Sequence, residues 1–166
     1  MNSQTTTKPY SVKRSGATVN FSVSGVEDTR DHFLIELVNE GCRAANVPVN
    51  FEDLTYPALA GGQCIIARRD DGTPLGFIFF LSAEMPFTLR TAVVEQLLYV
   101  HEKHRGAHLK VADGLLHMLE RVAREEGAQD IFAGSSLNHN EAARRVYQRA
   151  GFTTTYSFKK DITDHV

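Results

Sequence analysis

The chain lacks several features that would mark a function class. Its 166 residues include 18 Lys or Arg against 20 Asp or Glu, a formal net charge of −2. There is therefore no cationic excess to neutralise a nucleic-acid backbone, whose binders carry a basic stripe. No apolar run approaches the roughly 20 residues of a membrane helix. The opening Met1-Asn-Ser-Gln-Thr-Thr-Thr-Lys8 also lacks the apolar segment of a signal peptide. The expectation is a cytoplasmic protein with no nucleic-acid or membrane partner. Cysteine is scarce: Cys42 and Cys64 form no Cys-x-x-Cys pair and make no disulfide framework, so both are expected as reduced core residues. There is no internal repeat. What remains is ordinary, 42% hydrophobic and 23% charged, in a chain about one domain long that can bury its own core.

Residues 1–17 are polar, Thr-rich and then basic at Lys13-Arg14, which predicts a frayed arm before a single domain over 18–166. Val19, Phe21 and Val23 alternate with polar residues as in a half-buried strand. Asp28 or Thr29 is placed to cap a helix with Phe33, Leu34, Leu37 and Val38 on its apolar side and Gly41 at its end. Residues 43–62, with Pro48 and Pro57, read as irregular around one short helix. Asp70-Asp71-Gly72 between the apolar runs 63–68 and 74–81 predicts a hairpin, because the turn needs positive φ. A loop at 82–90 and a strand at 92–100 follow. Val111, Leu115, Met118, Leu119 and Val122 then recur at helical spacing between Leu109 and Glu126, with Gly127 as the stop. A short strand at 131–134, a helix from Asn140 to Ala150 ended by Gly151, and a strand at 152–162 complete the order. The class is α/β: a mixed central sheet flanked by helices, antiparallel at its start and parallel around the 92–100 strand.

Three pieces of this order resemble the GNAT superfamily of N-acetyltransferases: Glu95-Gln-Leu-Leu-Tyr-Val-His101, His104-Arg-Gly106 leading into the long helix, and Asn140-x-x-Ala143-x-x-x-Tyr147-x-x-x-Gly151-Phe152. The resemblance spans about 18–162 and is motif-rich over 92–152. It implies the GNAT fold, acetyl-CoA as acyl donor and an amine as acceptor. It also implies that the backbone of Leu98, Tyr99 and Val100 pairs with the pantetheine arm, and that Arg105, Gly106, Ala107, His108, Leu109 and Lys110 surround the pyrophosphate. Physical chemistry agrees with that loop, since a helix N-terminus offers unpaired N–H groups and a positive dipole end to an anion.

By the same resemblance Tyr147 is the general acid that protonates the leaving thiolate, Asn140 contacts CoA, and Glu95 is the candidate base. A phenol of pKa about 10 is a weak acid for a thiolate near 8.5, so the environment of Tyr147 must help. Glu52, Asp53 and Glu84 are weaker candidates for attracting a cationic acceptor.

The phosphate loop departs from the family pattern, Arg/Gln-x-x-Gly-x-Gly/Ala. Counted from Arg105 the small positions fall on His108 and Lys110; counted back from Leu115-Leu116 they fall on Lys110 and Ala112. A loop longer by two residues, a solvent-facing His108 and Lys110, and impaired CoA binding all remain open. His101-Glu102 begins a zinc-protease pattern, but Arg105 stands where its second histidine belongs, so no metal is expected. The alternative function is a catalytically silent acyl-CoA-binding or protein-interaction domain of the same fold. A homodimer that completes the sheet is a candidate assembly.

Overall fold

A computed structural model describes residues 7–14, 16–85, 88–106, 109–133 and 141–155. Its six strands lie in sequence order across one sheet: β1 (Tyr10–Arg14), β2 (Ala17–Val23), β3 (Cys64–Arg69), β4 (Pro74–Met85), β5 (Arg90–Val100) and β6 (Asp130–Phe132). The first five pair antiparallel and β6 joins β5 parallel, giving the mixed sheet that the pattern predicts.

Part of the expected arm is sheet. β1 pairs with β2 from Tyr10↔Phe21 to Arg14↔Ala17, and Thr7 donates a hydrogen bond to Glu125 of the long helix at 2.5 Å. Two inward residues, Tyr10 and Val12, make too short an alternation to read as a strand, yet both pack on the core.

The first helix, α1 (His32–Ala44), is capped by Asp31, whose carboxylate accepts from the Leu34 N–H. Asp28, one of the two expected caps, closes the preceding 3-10 turn instead by accepting from the Gly25 N–H. The buried face is Leu34, Leu37, Val38, Gly41 and Cys42, whereas Phe33, expected inside, is 68% exposed. Gly41 does not end the helix. It lets α1 approach the sheet: a Cβ there would lie 2.7 Å from the Phe77 ring and 3.0 Å from Tyr99.

Arg68 of β3 donates to Asp28 at 2.7 Å and to Asp31 at 2.8 Å, pinning the start of α1 to the sheet. Burial pushes the Asp31 carboxyl up, but the hydrogen bond and charge of Arg68 and the Leu34 amide more than offset this and hold it below the usual carboxylate value. A lowered folded-state value stabilises the protein above the unfolded-state pKa of about 3.9, and that contribution disappears as pH falls through the folded value. Arg68→Met is therefore expected to cost about 2 kcal/mol at pH 7, between the range for exposed pairs and that for fully buried ones. In urea unfolding the difference from the parent should shrink below about pH 3. A difference independent of pH would exclude the ion pairs as its source.

Residues 51–55 wind as a π-helical turn into α2 (Tyr56–Ala60), the short helix expected in the irregular segment. The Asp-Gly hairpin is present, with Gly72 at φ +87°. The expected loop at 82–90 is shorter than predicted: β4 runs to Met85 and β5 starts at Arg90, paired directly opposite each other. Ser82–Glu84 is exposed, so it shows no buried face by which a strand could be recognised.

The long helix α3 (Val111–Glu125) buries Leu115, Leu116, Met118, Leu119 and Val122 on one sheet face, together with Phe21, Ile78, Val93, Leu98 and Val100. Leu34, Leu37, Leu59, Phe77, Leu97 and Tyr99 form the core of the other face with both free cysteines. The last described helix, α4 (Glu141–Arg149), sets Val146 and Tyr147 against the α3-side core, with Phe152 after it. Residues 152–155 hold no strand, and the rest of the strand expected at 152–162 lies outside the described residues. Among the described residues no helix is long and apolar enough to cross a membrane.

Candidate functional site

The site begins with an irregularity in β5. Phe79 opposes Leu97 but Phe80 opposes Glu95, so Gln96 is an extra residue, a bulge. Because side chains alternate, a one-residue insertion reverses which of them face each way beyond it. Val93 lies on the α3 face before the bulge, and Leu98 and Val100 lie there after it, while Leu97 and Tyr99 turn to the opposite core. Glu95, immediately before the bulge, keeps the α3 and α4 side.

Glu95 is 1% exposed, a placement that requires a hydrogen-bonding partner. Tyr147 of α4 supplies one, donating its hydroxyl to Glu95 Oε2 at 2.7 Å. Burial pushes the Tyr147 phenol far above its usual value, and the negative charge of Glu95 and the hydrogen bond to it push it further. α4 is held in register by a second bridge. Arg149 reaches Asp113 in the first turn of α3 at 3.2 and 3.3 Å. The Tyr147 ring also meets Phe152 edge-on at 5.7 Å. An open cleft between α3, β6 and α4 has Val94, Glu95 and Tyr147 in its wall, and among the described residues Arg105, Gly106, Leu109 and Lys110 do not line it.

Beyond the bulge β5 has a free edge. β6 pairs only with Ala92–Val94, and among the described residues no strand lies beside the outer edge of 95–100. The His101 N–H bonds to the Leu75 carbonyl, which makes Val100 and Gly76 a non-hydrogen-bonded pair. The N–H and C=O of Val100 therefore point away from β4, as do those of Leu98 two residues earlier. Those of Tyr99, predicted to act with them, point to β4 instead.

The loop after β5 is anchored by Arg105. Its Nε donates to the Val100 carbonyl at 2.8 Å, and its guanidinium lies 5.3 Å from the centre of the Tyr99 ring. Arg105 thus ties the loop to the strand rather than standing as a bare cation. Gly106 takes φ +121°. Leu109 is buried in the α3-side core. Lys110 occupies the N-cap of α3 in the left-handed conformation, φ 49° and ψ 42°, with no side-chain cap. Glycine holds that conformation without strain. Both register counts place one of their small positions at Lys110. Ala107, His108 and Asn140 lie outside the described residues.

The weaker acceptor candidates do not gather at Glu95. Asp53 takes part in the cap of the π turn, its N–H donating to Asn50 and its carboxylate accepting from the Asn50 amide, with Glu52 exposed beside it. Glu84 opposes Thr91 near the hairpin tip, four residues from the Phe80 that faces Glu95, or about 13 Å along the strand. The His101 and His104 rings lie tilted with centroids 5.5 Å apart, and His101 lies 3.7 Å from Glu40. Among the described residues no group of three His, Cys, Asp or Glu is placed to hold a metal. Asp113 and Arg149 escaped the sequence reading, since no local pattern pairs residues 36 apart.

Comparison with known proteins agrees with this architecture. The model of the acetyltransferase (GNAT) family matches residues 30–152. No curated protein matches significantly by sequence. Among solved structures, ribosomal-protein-alanine N-acetyltransferase from Brucella melitensis biovar Abortus 2308 is 22% identical, with 86% of this chain and 97% of that one covered and a TM-score of 0.67. Glucosamine-6-phosphate N-acetyltransferase from Arabidopsis thaliana is 12% identical, over 88% and 99% of the two chains, at a TM-score of 0.67. A predicted acetyltransferase with acetyl-CoA from Clostridium acetobutylicum is 18% identical, over 89% and 98%, at 0.65. With its curled mixed sheet and a family match covering most of its length, the chain belongs to the GNAT family of acetyltransferases.

Proposed function

We propose that this protein transfers an acetyl group from acetyl-CoA directly to a primary amine of a small molecule or peptide, with Glu95 as the base and Tyr147 as the acid. The observation that carries the reading is the hydrogen bond from Tyr147 to the buried Glu95, beside the edge of β5 that no described strand covers. That edge suits the donor: the outward N–H and C=O of Leu98 and the outward N–H of Val100, whose carbonyl already accepts from Arg105, match the amides of a pantetheine arm, as an added strand would. Gly106 and the first turn of α3 suit its pyrophosphate, and Lys110 adds a cation beside it.

The amine must be neutral to attack the thioester carbon. Glu95 removes a proton from nitrogen, and Tyr147 supplies one to sulfur. Glu95 itself is buried, which strengthens its interaction with charge that develops beside it.

Titration calorimetry is expected to show one acetyl-CoA per chain with a Kd between about 1 µM and 1 mM, the range of ordinary substrates. An absence of binding at millimolar ligand would sink the enzyme reading. Release of free thiol with a panel of small-molecule and peptide amines then tests catalysis. Binding with no thiol release on any amine would favour the silent acyl-CoA-binding domain.

A further inference from the structure

The acid and the base of the proposed reaction are bonded to each other. Two groups acting separately would each face their own reactant, but here Tyr147 points its proton at Glu95 Oε2. We infer that Glu95 and Tyr147 form a single proton relay, in which uptake of the amine's proton by Glu95 releases the Tyr147 proton to the departing thiolate. The inference rests on the acyl-transfer reading above.

The physical argument is one of charge. While Glu95 is ionised, removing the proton from Tyr147 would leave a phenolate against a carboxylate at hydrogen-bond distance in a buried site. That repulsion, added to burial, is what makes Tyr147 a poor acid in the resting protein. Once Glu95 has gained a proton the repulsion is gone, and Glu95 can donate back along the same bond. Tyr147 therefore becomes a competent acid at the moment nitrogen loses its proton.

The step balances. The amine enters neutral, its ammonium proton already lost to solvent; its nitrogen forms a bond to the acyl carbon, and the electron pair of the C–S bond leaves with sulfur. One proton passes from nitrogen to Glu95, the Tyr147 proton passes to sulfur, and the Glu95 proton passes to the phenolate. Amide and free thiol result, with both residues restored and no further reactant consumed.

Glu95→Gln and Tyr147→Phe, singly and together, test the relay. Each single change is expected to lower kcat by about 10²–10³-fold. The double variant should be no slower than the worse single one, because residues that act as a unit are not additive. Losses that multiply in the double variant, each protein binding acetyl-CoA as the parent does, would overturn the relay and leave acyl transfer standing. A readout free of turnover separates the two ideas. In protein labelled with 13Cζ-tyrosine, with Tyr147 assigned by its loss in Tyr147→Phe, the Tyr147 resonance of Glu95→Gln should titrate at least one pH unit below that of the parent. Identical titration in the two proteins overturns the relay whether or not an acceptor amine has been found. A parent that binds no acetyl-CoA overturns the acyl-transfer reading instead.

Discussion

Tyr147→Phe should lower kcat by about 10²–10³-fold while acetyl-CoA affinity stays within about threefold of the parent, the ordinary consequence of losing a general acid. The substitution removes one oxygen. It leaves the ring that packs against the α3-side core and meets Phe152 edge-on, so α4 keeps its seat. The Arg149–Asp113 bridge, two residues further along α4, is untouched. CoA affinity is expected to depend on other groups, the β5 edge and the loop from Arg105 to Lys110. The loss should therefore appear in turnover alone, measured by thiol release at saturating acetyl-CoA. A second measurement identifies the missing proton. A thioester whose thiol is more acidic needs less help in leaving, so an acetyl donor with such a leaving group should recover part of the lost rate in Tyr147→Phe. Equal losses for both donors would remove Tyr147 from the acid role.

Gly114→Ala should destabilise the fold by about 2 kcal/mol, although alanine is the better helix former by about 1 kcal/mol. Gly114 lies in the first turns of α3, where the helix crosses β2. A Cβ there would sit 2.1 Å from Phe21 Cζ and within 2.7 Å of two further ring carbons. Phe21 is 1% exposed and Tyr10 lies against it with ring centroids 5.8 Å apart, so a Cβ at Gly114 fits only if the packed ring is displaced. Overpacking therefore outweighs propensity. Phe21→Leu is expected to cost less than about 1.5 kcal/mol alone. In the Gly114→Ala background it should recover stability, a coupling of more than about 1 kcal/mol in urea unfolding. Additive costs would show that the two positions do not contend for the same space.

Local rules made much of this legible beforehand. The helical spacing of Val111, Leu115, Met118, Leu119 and Val122 describes the buried face of α3, and Gly127 follows that helix with φ +73°. Asp70-Asp71-Gly72 marks its hairpin for the same conformational reason. Where two local signals competed, the reading slipped: Asp28 and Asp31 are both cap residues, and each closes its own turn. Gly41 resembles a helix stop but is a point of contact with Phe77 and Tyr99, a distinction that depends on what packs against it.

The candidate site divides along the same line. By itself the sequence determined that Tyr147 stands on a helix ended by Gly151 and that Glu95 interrupts an apolar strand, because period, capping and turn chemistry act over a few residues. Only the tertiary structure decided that the two meet across 52 positions. It also decided that no described strand covers the outer edge of β5 beyond Val94, that Arg105 folds back on Val100, and that Lys110 takes the left-handed turn at the start of α3. The physical reason is register. One extra residue at Gln96 sets which way every later side chain of β5 faces, and that insertion is defined only by its pairing with β4.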